Sequence, residues 1–149
     1  MKPTATVLAT LLAALSPSAA PAPAPDFQRD VRPILSRQCF ACHGPDEHAR
    51  KSGLRLDLRE AALAPAKSGK RAIVPGKTDQ SELVRRITTT DHNKVMPPAD
   101  TKKQLTSFER DTLRRWVAAG ADYQPHWAFI KPKQNPLPKV RQADWPRNE

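Results

Sequence analysis

Cys39-Phe40-Ala41-Cys42-His43 decides how this chain is read, and it contains both cysteines among 149 residues. The spacing C-x-x-C-H is that of covalent c-type haem attachment. Two thiols separated in this way can each reach a vinyl group of one porphyrin, and the adjoining imidazole can swing beneath the ring to place a nitrogen on iron. On this reading Cys39 and Cys42 carry one haem c through thioether bonds, and His43 is its proximal ligand. Two other chemistries use paired cysteines. A tetrahedral zinc site needs two further ligands, from His48, His92 or His126, and a His abutting the second Cys is not zinc-finger spacing. A thioredoxin-like redox pair requires a strand before the motif and a helix starting at it, whereas the residues before Cys39 have helical spacing and Gly44-Pro45 ends structure after it.

Iron bound to His43 has a second axial position, and Met96 in Val95-Met96-Pro97-Pro98 is the candidate for it. Met1 is the only other methionine. The stiff Pro97-Pro98 holds the chain extended, so the thioether is presented from a loop. The interval from His43 leaves room for a helix and a return loop to pass around the ring. A single Met close to Lys94 and Asp100 is poorly placed as a core filler. His92 and His126 are the rivals: His92 lies in a charged run that reads as a solvated loop, and His126 adjoins Trp127, where it can pack or hydrogen bond. His48, between Glu47 and Ala49, reads as exposed. With both axial positions filled, the iron exchanges electrons and offers no open site; with Met96 unbound, a gas-sensing or peroxide-reactive centre results.

The surrounding residues predict helices. Phe27, Val31, Ile34 and Leu35 recur at helical spacing, with Asp26 or Asp30 as N-cap; if Asp26 caps, Pro33 kinks the helix. Leu54, Leu56 and Leu58 alternate, which suggests a short extended piece wrapping the haem edge. Asp57 with Glu60 reads as a capping box for a brief Ala-rich helix ended by Pro65 and Gly69, and Asp79 with Glu82 as a box for a helix burying Leu83, Val84 and Ile87. Thr106 with Glu109 starts the strongest helix, whose buried stripe is Phe108, Leu113, Trp116 and Val117 and whose stop is Gly120. Phe108 and Trp116 are expected where this last helix crosses the first. Four helices without a sheet predict a small all-α fold wrapped around one covalent haem.

Composition agrees with a small core. Hydrophobic residues make up 38% of the chain, below the usual range of roughly 45–50%, and 16 prolines exclude a long coiled coil or an extended central sheet. A large enzyme core is excluded as well. Lys2 followed by the apolar run 5–15 reads as an export signal, too short for the ~20 residues of a spanning helix. A cut after Ser18 fits the small residues there, and membrane attachment is expected only if the segment is retained. The expected organisation is a signal peptide with a Pro/Ala linker over 1–25, the haem domain over 26–122, and a Pro-rich basic tail over 123–149. Trp127, Phe129 and Trp145 in that tail are expected to dock on something. The net charge of +10 favours acidic partners; no nucleic-acid-binding motif accompanies it.

Taken together, the segment from Phe27 through the motif to Gly44-Pro45-Asp46, then Leu54-Arg55-Leu56-Asp57, Ile73-Val74-Pro75-Gly76-Lys77, Ser81-Glu82-Leu83, Met96-Pro97-Pro98, Leu105-Thr106 and Trp116-Val117-Ala118-Ala119-Gly120-Ala121 closely resembles the planctomycete-type cytochrome c domain. The resemblance implies a class I-like fold, a covalent haem c on Cys39, Cys42 and His43, and Met96 in the position of the sixth ligand. It implies electron transfer rather than catalysis, in a periplasmic setting, with a redox protein or a fused domain as partner. In that family the domain commonly opens a longer exported protein. His126-Trp127-Ala128-Phe129 and Asp144-Trp145-Pro146 resemble the approach to a following domain, so the chain is expected to be part of a longer one, the alternative being a stand-alone cytochrome whose tail docks on a partner; in a longer exported enzyme the domain would serve as an electron-relay module.

Overall fold

A computed structural model describes residues 23–66, 68–125, 127–132, 134 and 136. Residues 1–22, which hold most of the expected signal and linker segment, His126 and Trp145 therefore lie outside the described residues. In chain order the elements are a π turn over Phe27–Val31, α1 Arg32–Gln38, α2 Phe40–His43, α3 Arg59–Leu63, α4 Glu82–Thr88, α5 Ser107–Ala118 and a closing 3-10 turn over Trp127–Phe129. Among the described residues the only β pairing is an isolated bridge between Pro65 and Arg71, and the small all-α expectation holds there. No helix among them is long and apolar enough to cross a membrane.

The two candidate caps of the first helix act together. The Asp26 side chain accepts from the Arg29 amide at 2.8 Å, and Asp30 reaches back to accept from the Asp26 amide at 2.9 Å. The expected kink takes the form of a widened turn. The amides of Val31 and Arg32 bond five residues back, to the carbonyls of Asp26 and Phe27. Pro33 then falls in the first turn of α1, where its missing N–H leaves no bond broken, and the widening takes up the ring that a regular helix would drive into the carbonyl four residues earlier.

From there the chain runs almost without a break into the motif, the Cys39 amide bonding to the Leu35 carbonyl at 2.8 Å. Phe27 and Trp116 lie with ring centroids 5.7 Å apart, which is where the first and last helices cross. Thr106 and Glu109 form the expected capping box on α5. At the other end the Gly120 amide bonds to the Val117 carbonyl and the Ala121 amide to the Trp116 carbonyl, a Schellman closure that needs the positive φ of 108° at Gly120.

Three expectations are corrected. Phe108 is 75% exposed; the buried face of α5 is Glu109, Thr112, Leu113, Trp116 and Val117, so Phe108 lies one position off the stripe. Asp57 does not cap α3, which has no side-chain cap, because it forms a two-point ion pair with Arg55. Asp79 does not cap α4 either. The N-cap there is Ser81, whose hydroxyl turns away to accept from the Val74 amide at 2.9 Å and donate to the Lys77 carbonyl at 2.7 Å. These bonds fix the 71–77 segment, which is also tied to α3, α4 and α5 through Ile73 to Ala62, Leu83 to Ala72 and Gly76 to Val117.

Leu113 is wholly buried, so Leu113→Ala is expected to cost about 2–5 kcal/mol in denaturant unfolding of the cofactor-loaded protein. Phe108→Ser should stay within about 0.5 kcal/mol of the parent, since it removes nothing from the core.

Candidate cofactor site

The motif forms the one-turn helix α2, in which the amides of Cys42 and His43 both bond to the Cys39 carbonyl, at 3.1 and 2.8 Å. Gly44 ends it. A Cβ there would lie 2.3 Å from the Phe40 carbonyl oxygen, so the close approach of the chain to its own helical turn requires glycine. The loop that follows folds back on the motif. Lys51 donates its amide to the Cys42 carbonyl and Leu56 to the His43 carbonyl, each at 2.8 Å, while Arg50 bonds the carbonyls of Gly44 and Pro45. His43 is thereby held from both sides of the loop.

Beside the motif lies a cavity of about 260 Å³ whose lining includes Cys39, His43 and Met96. Leu54, Leu56, Ala72, Leu83 and Ile87 make its wall largely apolar, and exposed Ser52, Ser68 and Lys70 mark where it opens to solvent. Met96 comes from the loop after α4, secured by its amide to the Arg86 carbonyl at 2.9 Å. Arg86 is itself held by Glu82 at 2.8 Å and donates to the Lys94 carbonyl at 3.3 Å. Three of the four candidate site residues thus share one cavity. Cys42 is exposed and does not line it, although the α2 turn keeps it beside Cys39. His48 and His92 are exposed and do not line it.

The chemistry of the lining fits a covalently held, metal-containing group. Burial pushes the His43 imidazole below its ordinary value, opposed in part by the Lys51 backbone, which favours the neutral form that binds metal. Its Nδ1 is buried without a hydrogen-bond partner. Buried polar atoms are otherwise nearly always satisfied, so this one marks a side chain placed for something the polypeptide does not supply. Burial likewise pushes the Cys39 thiol up to about 11, keeping it protonated and inert until it is alkylated or ligated. Among the described residues no three His, Cys, Asp or Glu converge as a metal cluster, and no strand precedes the motif in the thioredoxin manner.

Sequence reasoning missed two supports of the site. Glu109, only 7% exposed, pairs with Arg37 at the end of α1. Its burial favours the neutral acid, yet the Thr106 amide and Arg37 outweigh that and hold the carboxyl below its ordinary value. The pair ties the start of α5 to the turn just before Cys39, and partners 72 positions apart leave no local signal. Tyr123, assigned to the tail, instead packs against Phe27 and Trp116 at 4.6 and 5.1 Å. Its hydroxyl donates to the Leu56 carbonyl at 3.1 Å. An aromatic three places beyond a helix-stop glycine was the available hint.

Among the described residues, a helical domain brings a C-x-x-C-H turn and a loop methionine to one largely apolar cavity. Residues 39–100 match the family model described as Planctomycete cytochrome C, and the chain carries a planctomycete-type cytochrome c domain. That family implies a covalently bound c-type haem and electron transfer. No curated protein and no solved structure matches the chain.

An unfilled apolar cavity forfeits the contacts of its lining. The Cys39→Ala, Cys42→Ala double variant is accordingly expected to lose the cooperative thermal transition seen by circular dichroism in the loaded protein; a native-like melt would contradict this. Acid should also act through Glu82. Bonds from Arg85 and Arg86 hold its carboxyl down at about 2, against an ordinary 4.5. That stability is complete above 4.5 and lost as pH falls through about 2. Glu82→Gln should lower stability at neutral pH and flatten the acid-unfolding curve across the same interval.

Proposed function

We propose that this domain is a single-electron carrier with one haem c, attached through Cys39 and Cys42 and ligated axially by His43 and Met96. The reading is carried by the meeting of Cys39, His43 and Met96 on one largely apolar cavity. When bound, the haem supplies reversible Fe(III)/Fe(II) exchange. The chain's own residues set the conditions for it. His43 offers a neutral imidazole from a turn held by Leu56 and Lys51. Met96 offers a thioether whose backbone is fastened to α4 through Arg86, so little has to move between oxidation states. Leu54, Leu56, Leu83 and Ile87 exclude water, which favours the less charged ferrous form and raises the potential.

With both axial positions occupied by protein, no site is left for a substrate, and the chain is assigned no catalytic residue. The 5–15 run directs it out of the cytoplasm, where a periplasmic redox protein is its partner, or a further domain fused to it. The net charge of +10 favours an acidic docking face on that partner.

The ferric protein should show the weak far-red charge-transfer band of Met–iron ligation, and Met96→Ala should abolish it, lower the reduction potential and admit carbon monoxide to the ferrous iron. A high-spin ferric spectrum in the parent would overturn the carrier reading in favour of an open-site sensor or peroxide-reactive centre. A low-spin ferric spectrum that lacks the band, is unchanged by Met96→Ala and turns high-spin on replacing His92 or His126 would move the sixth ligand.

A further inference from the structure

Tyr123 lies outside the family-matched stretch, which ends at residue 100, yet it reaches the cofactor side of the fold. Its hydroxyl donates to the Leu56 carbonyl at 3.1 Å, and the Leu56 amide donates to the His43 carbonyl at 2.8 Å. Leu56 is therefore held at both of its backbone polar groups, one by the tyrosine and one by the histidine. Its side chain, 2% exposed, forms part of the cavity wall. Tyr123 in turn cannot shift easily. Its ring packs against both Phe27 and Trp116, which also touch each other, the Trp116 indole donates to the neighbouring Asp122 carbonyl at 2.9 Å, and Gln28 donates to the Gln124 carbonyl at 2.7 Å. Burial raises the phenol well above its ordinary value, so it remains a donor throughout the neutral range.

We propose that Tyr123 is a positioning residue for the cofactor: through Leu56 it holds the His43 turn and keeps the cavity wall closed to water. This links the helix crossing, and the segment that leaves it at Gln124, to the iron ligand. The link is mechanical. The Leu56 carbonyl and amide belong to successive peptide groups, so losing the phenol frees one side of Leu56 and lets its segment move off the wall. Water entering there stabilises the ferric state.

The proposal rests on the haem reading above, and the test separates the two. Tyr123→Phe keeps the ring and removes the donor; Phe27→Leu keeps the donor and weakens the ring packing. In the haem-loaded chain, Tyr123→Phe should shift the ferric-to-ferrous ratio at fixed ambient potential at least threefold toward ferric, about 28 mV at 59 mV per tenfold. It should also speed hydrogen exchange of the Leu56 amide at least tenfold. Phe27→Leu, which loosens the ring packing but keeps the donor, should lower stability and move both readouts less than Tyr123→Phe does. Failure of Tyr123→Phe to load haem while Phe27→Leu loads normally supports the same role. The proposal is overturned if Tyr123→Phe leaves potential and exchange unchanged, if Phe27→Leu moves them as far, or if neither variant loads. A parent chain that binds no haem overturns the underlying reading instead.

Discussion

Where Phe27 meets Trp116, the first turn of the domain is pressed against the last helix, and the position of the motif follows from that contact. The chain passes from the π turn through α1 into Cys39 with hydrogen bonds continuing across each junction, so α1 behaves as one lever. Fixing its start against α5 fixes where its far end delivers the two cysteines and His43. The Arg37–Glu109 pair fastens that far end a second time. Fully exposed ion pairs contribute little, but Glu109 is buried and also closes the α5 capping box, so removing its partner would leave a buried charge unmatched.

The other half of the site depends on backbone bonds between loops rather than on helices. Between α2 and α5 the described helices are short, α3 of five residues and α4 of seven, and helices of this length have little stability of their own. What orders the intervening chain is a set of backbone bonds crossing from one segment to the next: Leu56 to His43, Ile73 to Ala62, Leu83 to Ala72, Gly76 to Val117 and Met96 to Arg86. Two of these end on proposed iron ligands. The loops thus carry the ligands, and the helix crossing carries the loops. A cavity lined with leucine between them fits a domain whose apolar core is completed by a bound group, in keeping with the modest hydrophobic content of the chain.

Local patterns and long-range partners divide what could be read in advance. The α5 capping box and the Gly120 stop depend on residues within a few positions of one another, and both appear as read, while the C-x-x-C-H motif takes the form of a single helical turn. The capping boxes at Asp57 and Asp79 are equally good patterns and fail for different reasons: Arg55 takes the Asp57 carboxylate, and α4 starts at Glu82 with Ser81 as its N-cap, which leaves Asp79 outside the helix. Phe108 fails for a different reason. Apolar character alone placed it on the stripe, but helical geometry rotates it away and gives its place to Thr112 and to Glu109, whose carboxylate the capping box and Arg37 hold.

The sequence by itself determined the C-x-x-C-H turn, the helical class of the described residues and the loop that presents Met96, because such motifs and helix termination are written in short spacings. Only the tertiary structure decided that Cys39, His43 and Met96 line one cavity while His92 stays outside it, that Arg37 and Glu109 pair, and that Tyr123 belongs to the core rather than to the tail. Each of those depends on groups far apart in the chain, and their meeting is set by how the first and last helices cross. No window of neighbouring residues contains that angle.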